Sequence, residues 1–440
     1  MQVNDMIIVS VDDHIIEPPN LFEKHLTTEQ KAFAPKHHRT PQGDFWVYAG
    51  RKIASGGLNA VIGRPREEYG CEPMSLDDMR KGMWDVHARI EDMNACGILG
   101  SMNFGSFVGF DGGLFLADGD RRQALTVLRA YNDWHIDEWC GAYPGRFIAL
   151  PIMPVWDVAE TVREIRRVHA KGARAFTFID NPARRGLPSI HNEAWEPLWA
   201  VCNELEMVIC CHIGSGNAAP HPSLESPISA WITAMPISIA LTAADWIHLS
   251  ALNRYPKLRI ALSEGGIGWI PYFLERASYV NWRQGIWTHT DFGGRTVAEV
   301  FREHFITCFI DDVFGIQNRA AIGVENICYE CDYPHSDSLW PQAPEYLLKS
   351  MQGVPDDEID KMSHLNAMRF FHYDPFAVLG RQNCTVGALR AQATHVDIRE
   401  RSYGGARPLA AGEAARTVTS GDIERMMASM QAQGMPASAA

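Results

Sequence analysis

The stretch "VSVDDHIIEPPNLF", residues 9–22, decides how the rest of the chain is read. It starts as a β-rich apolar run and ends in Asp12, Asp13 and His14, with Glu17 just before a double proline. Side chains two apart share a face of a strand, so Asp12 and His14 point together while Asp13 points away. Alone, an Asp-x-His pair is no more than a satisfied polar pair at a strand end. Partners at the ends of other strands would turn it into a metal site.

Working outward, eight short apolar runs bounded by turn residues predict strands: 6–14, 98–105, 147–154, 173–180, 207–214, 258–266, 305–312 and 326–335. Most are followed by a helical pattern. "SLDDMRKGMWDVHARIEDMNACG" opens on a capping Ser and stops at Gly97, and "WDVAETVREIRRVHAKG" runs from acidic to basic and stops at Gly172. Eight strands, most of them followed by a helix, predict a (β/α)8 TIM-type barrel with a parallel sheet.

Two regions fall outside the repeat. Residues 30–75 are rich in Gly, Pro and basic residues and read as a lid inserted after the first strand, with a hairpin around "GDFWVYAGRKIASGG". The barrel domain is placed at 1–375, and 376–440 is read as an irregular C-terminal arm, partly disordered or clasping a neighbouring subunit. The uncharged run 226–244 holds Pro236 and several Ser and Thr, and is read as a buried or interface helix rather than a membrane span.

With 440 residues, 46% of them hydrophobic, a large core is available, and a formal charge of -13 argues against nucleic acid or an anionic membrane as partner. Ten cysteines show no framework spacing, and the sole CxxC, Cys328 and Cys331, lacks a second pair to make a zinc site. Reduced thiols, and an amino terminus without a basic n-region, give a cytoplasmic expectation.

In a barrel of this kind the chemistry lies at the strand carboxyl ends. Those ends carry Asp12 and His14, then His212, Glu264 and Asp332. Two carboxylates and two imidazoles suit a divalent ion, and an open coordination position would activate water or polarise a substrate. Glu264 is open as general base, second-metal ligand or structural acid. His335 stands three residues past Asp332, where substrate, a second metal and a structural role are all possible. Arg89 and Glu91 read as solvated charges, Asn103 as a weak candidate for a substrate hydrogen bond, and Trp231, Trp246, Trp269, Tyr272 and Trp282 as packing or interface residues.

Four segments together resemble the amidohydrolase-related proteins of the amidohydrolase superfamily, the branch with metal-dependent nonoxidative decarboxylases: "SVDDHIIEPP", "WEPLWAVCNELEMVICCHIG", "YPKLRIALSEGGIGWIPYFLERA" and "ENICYECDYPHSDSLWP". The resemblance implies one divalent ion held by Asp12, His14, His212 and Asp332, with Glu264, Asp332 and His335 as catalytic candidates. Many relatives carry a catalytic His where this chain reads "SEGG", and no lysine stands at the fourth strand, whose end offers only Asp180. A second, oxygen-rich site from Glu17, Glu264 and His335 is therefore an alternative, with Asp180 also within the supply. Zn or Mn is expected, or an Fe or mixed Fe/Mn pair if two ions bind. The expected function is hydrolysis or nonoxidative decarboxylation of a small carboxylated or aromatic molecule. The alternatives are an oxygen-activating dinuclear hydroxylase and a noncatalytic metal-binding subunit of a hetero-oligomer. A homodimer or higher oligomer is expected.

Overall fold

A computed structural model describes residues 1–41, 43–72, 74–217, 219–404 and 415–432. The strands in chain order are β1 (Val9–Ile15), β2 (Lys36–His38), β3 (Phe45–Tyr48), β4 (Arg51–Ala54), β5 (Gly100–Gly105), β6 (Phe147–Ile148), β7 (Ala175–Phe178), β8 (Val208–His212), β9 (Arg259–Ser263), β10 (Phe305–Phe309) and β11 (Ile327–Tyr329).

Eight of them form one sheet in the order β6-β5-β1-β11-β10-β9-β8-β7, and every neighbouring pair is parallel. Its two edges meet at a parallel bridge between Ile152 and Thr177, where the Thr177 N–H donates to the Pro151 carbonyl at 3.1 Å. The expected (β/α)8 barrel is present. Alternate residues such as Val208 and Cys210, Ile306 and Cys308, and Met102 and Phe104 fill its interior, and a second, larger apolar layer seals strands against helices. Cys328 and Cys331 fall in different layers, as their spacing requires.

β1 carries an irregularity that matters for the site. Val9 and Val11 join the interior cluster, yet a register shift between Ser10 and Asp13 changes the parity, and Asp12 and His14 then turn inward. Such a bulge re-aims side chains at a strand end.

β2, β3 and β4 make the lid, a three-stranded antiparallel sheet whose tight turn at Ala49–Gly50 has positive φ at both positions, 47° and 73°. The lid is tied to the loop after β11: Val61 N–H donates to Pro334 O at 3.2 Å and Ser336 N–H to Leu58 O at 3.0 Å.

Beyond Asp374 the chain is more closely integrated than its composition suggests. Cys384 and Leu389 join the interior cluster with Phe371 and Tyr373, and Val386 N–H donates to Met6 O at 2.8 Å, so this stretch floors the barrel. Further on, Arg401 N–H donates to Gly63 O in the lid at 2.8 Å. Residues 405–414 and 433–440 of the arm lie outside the described residues. Residues 418–421 clasp this same chain, pairing antiparallel with the segment before the apolar run.

That run is two helices, Ile228–Ile237 and Ile239–Trp246. By length and composition it could cross a membrane, with 22% of it buried. Of the buried or interface helix read from sequence, the second half is buried within the chain, at Ile239, Thr242, Ala243 and Trp246, whereas no residue of the first helix is.

Candidate metal centre

Four strand ends, those of β1, β8, β9 and β11, converge at the carboxyl face. His14 Nε2 lies 3.5 Å from Asp12 Oδ1 and 3.3 Å from Asp332 Oδ1, and His212 Nε2 lies 3.7 Å from Asp12 Oδ1 and 2.8 Å from Glu264 Oε2. His335 stacks on His14 with ring centroids 3.6 Å apart and reaches Asp332 with Nδ1 at 2.9 Å. Three overlapping sets of ligand atoms result among the described residues: Asp12, His14 and His212; His14, Glu264, Asp332 and His335; and Asp12, Cys308 and Glu330.

The hydrogen-bond inventory shows what such a cluster lacks. Both carboxylate oxygens of Asp12 and of Asp332, both ring nitrogens of His14, His212 Nε2 and His335 Nε2 are buried without a partner. Buried polar groups are otherwise almost always satisfied, because leaving one unmet costs about 1–3 kcal/mol. His212 Nδ1 faces the Ile213 carbonyl at 2.7 Å and must donate to it, which turns Nε2 toward Asp12 and Glu264. Carboxylate oxygens and imidazole nitrogens aimed at one space fit a divalent cation.

Electrostatics agree with the geometry. Burial, then the charges of Glu330, Glu264 and Asp13, pushes Asp12 well above the usual carboxylate range; burial, then Glu264, Asp12 and Glu330, does the same to Asp332. Burial and the neighbouring imidazoles hold His14 well below its usual value, and burial takes His335 down to about 4. Burial alone would raise Glu264, but the charge and hydrogen bond of His212 leave it below its ordinary value. The backbone is strained at two of these acids, with φ of 57° at Glu264 and 54° at Asp332, a region costly for a residue with a Cβ.

Other candidates are placed elsewhere. Glu17, expected in a second site, accepts from Ser106 N–H at 2.9 Å, Phe107 N–H at 3.0 Å and Tyr131 O–H at 3.2 Å, and so pins the loop after β5. Asp180 is engaged by Ser215 Oγ at 2.8 Å, Asn217 N–H at 3.1 Å and the Thr242 hydroxyl. Neither carboxylate joins the cluster. Asn103 accepts from Trp139 Nε1 at 2.9 Å and donates to Ser101 Oγ at 2.7 Å, so it is spent between β5 and the helical layer, away from the pocket.

Arg89 corrects the reading as a solvated charge. It is buried, donates to Gly82 O at 2.7 Å and His14 O at 2.6 Å, and lies 4.3 Å over the Tyr333 ring. Its helix turns this face toward β1, where the strand-end carbonyl needs a donor. Glu91 is exposed, as expected.

Glu330 escaped notice in the sequence, although it stands two before Asp332 and shares its strand parity. It is buried beside Asp12, accepts from Cys308 Sγ at 2.6 Å and from Glu264 N–H at 3.2 Å, and burial, partly countered by the Cys308 bond, raises its carboxyl to about 8. Trp231 also differs from its reading as packing. With Ile213, Ile232, Met235, Phe110 and lid residue Leu58 it walls a pocket of about 350 Å³ that opens onto Glu264, Asp332 and His335.

Known proteins resemble this chain at several levels. A decarboxylase of Emericella nidulans, orsB, is 26% identical over 246 residues, spanning 51% of this chain and 69% of its own. The barrel matches that of an amidohydrolase from Mycobacterium avium subsp. paratuberculosis, with TM-score 0.63, 21% identity and coverage of 83% and 98% of the two chains. It also matches the 5-carboxyvanillate decarboxylase of Novosphingobium aromaticivorans, solved with manganese and 4-hydroxy-3-methoxy-5-nitrobenzoic acid, at TM-score 0.61, 16% identity and coverage of 84% and 99%. The amidohydrolase family model matches residues 32–373, from the lid through the floor of the barrel. With β1, β8, β9 and β11 presenting their acids and imidazoles at one face of that barrel, this chain belongs to the amidohydrolase family.

Proposed function

We propose that this protein is a nonoxidative decarboxylase of a small aromatic or unsaturated carboxylic acid and that it works with a bound divalent ion, Mn or Zn. The observation that carries the reading is the set of unpartnered buried oxygens and nitrogens at Asp12, His14, His212 and Asp332, opening into an apolar pocket of a size for one small ring. Decarboxylases among the relatives favour carbon–carbon cleavage over hydrolysis, and nothing in them favours an oxygen-activating centre.

Asp12, His14, His212 and Asp332 would hold the ion. When bound, it supplies Lewis-acid polarisation of a substrate oxygen and a fixed orientation for the carboxyl group. The chain does the rest. Phe110, Trp231 and Met235 flank the ring and exclude water. Loss of CO2 leaves an electron pair on the ring carbon, which must be protonated. His335, beside Asp332 and with its Nε2 buried and bare toward the pocket, faces the substrate for that transfer. Glu264, on the wall of the same pocket, accepts a proton from a substrate hydroxyl.

The test is CO2 release from a panel of aromatic mono- and diacids by manganese- or zinc-loaded protein, with matching aryl amides as the competing substrates. Hydrolysis of amides without CO2 release from any acid would overturn the reading. The exposed aromatic face of helix Ile270–Thr288, with Tyr272, Tyr279, Trp282, Ile286 and Trp287, supports assembly with a second copy of the chain, and sedimentation equilibrium reads this directly.

A further inference from the structure

The charge of the pocket walls is one-sided. Past Glu264, Ser336 and Asp337 the pocket continues into a second groove of about 640 Å³ lined by Gly266, Trp269 and Asp311, among others. Among the described residues, neither space is lined by a Lys or Arg. The nearby basic side chains, Arg64, Arg66 and Arg399, line a different groove on the other side of Ser336 and Asp337, where Arg64 donates to Gly404 O at 2.9 Å and Asp78 O at 2.6 Å and Arg399 pairs with Asp397 at 2.7 Å. Buried, unpartnered Asp332 and His335 Nε2 point into the first space, which marks it as a ligand site and not a mere surface fold.

A carboxylate can therefore be neutralised at one place only, the metal end. A second anionic group would face Asp337 and Glu264 with no counter-charge, whereas a hydrogen-bond donor or an ammonium would find acceptors in Asp337, Ser336 and Asn59. We infer that the site takes aromatic monocarboxylic acids whose far end carries a donor or cationic group, and that Asp337 is the residue that reads that end. The inference rests on the decarboxylase reading for the placement of the carboxylate.

Three probes of one shape separate the terms: 4-(aminomethyl)benzoate, 4-methylbenzoate and terephthalate, titrated calorimetrically into the manganese-loaded full chain. The ammonium probe should bind about tenfold more tightly than terephthalate, with the methyl probe between. Asp337→Asn should shrink the ratio to about threefold or less, and Asp337→Lys should reverse the order. Asp337 sits at the solvent-exposed rim, so these variants fold. Terephthalate binding as tightly as the ammonium probe, a ratio unmoved in Asp337→Asn, or no binding of the ammonium probe overturns the inference. Should the charge order hold while no acid of the panel loses CO2, the reaction assignment falls and the charge selection stands.

Discussion

Two kinds of buried carboxylate sit within one barrel. Asp12 and Asp332 are fully buried with no hydrogen bond to any side-chain oxygen and only imidazoles beside them, while Glu17 and Asp180 are just as buried with every oxygen engaged by an N–H or O–H. The contrast lies in the neighbours, since both kinds come from strand ends and the loops after them. Backbone amides turned toward Glu17 make it a brace for a loop; imidazoles turned toward Asp12 make it half of a cation site. Burial alone does not mark function. What marks it is burial that the protein itself leaves uncompensated.

Removing a ligand breaks the comparison most strongly. His212→Ala should lose CO2-releasing activity and weaken metal affinity by more than about a hundredfold, more than loss of a mere supporting partner costs, as read by equilibrium dialysis with Mn. Next comes the sign of a stability change. Asp12→Asn should leave the metal-free protein as stable as wild type or more so by about 1 kcal/mol, because an uncompensated acid has gone. It should also abolish the roughly 2.7 kcal/mol that the wild type gains at a metal concentration of about 100 Kd. Urea unfolding with and without Mn reads both.

Glu17→Gln should do the opposite, costing about 1–3 kcal/mol with metal content unchanged, because its NH2 would face a backbone N–H. It also carries a pH signature. Burial, against the backbone bonds from Phe107 and Ser106, raises Glu17 from 4.5 to about 7. The folded chain holds that proton where the unfolded chain has lost it, so the stability it brings is full below pH 4.5 and disappears as the pH rises through 7. The difference is roughly 3 kcal/mol, and Glu17→Gln should flatten that fall in a series of unfolding curves.

The smallest effect belongs to the arm. Ile228 N–H donates to Val418 O, Ser420 N–H to Ser226 O and Gly421 N–H to Leu224 O, each at 2.9 Å, and these bonds hold a pocket-wall helix that buries none of its own residues. Deleting 415–440 should speed hydrogen exchange about tenfold across residues 221–237 and leave β1 and β8 unchanged. Equal protection in both chains would show the wall to stand unaided.

Much of this was legible in sequence because strands impose simple rules. A period of two and a count of eight runs were enough to expect a barrel and to bring Asp12, His14, His212, Glu264 and Asp332 to one face. Other features depend on groups far away in the chain. Glu17 gives no hint that the Ser106 and Phe107 amides will reach it. Arg89 reads as solvated until its helix is seen to lie under the His14 carbonyl, and Trp231 becomes a pocket wall only once the arm grips the segment before it. Glu330 was the recoverable omission, since parity with Asp332 turns it inward.

The account stands on the claim that the unpartnered atoms are a metal centre. Equilibrium dialysis of wild type and Asp12→Asn against Mn(II) and Zn(II) near neutral pH, with protein-bound metal measured per chain, tests it most directly. The account predicts tight, saturable binding by the wild type and loss of it in the variant. No binding by a folded wild type, or undiminished binding by Asp12→Asn, would contradict it.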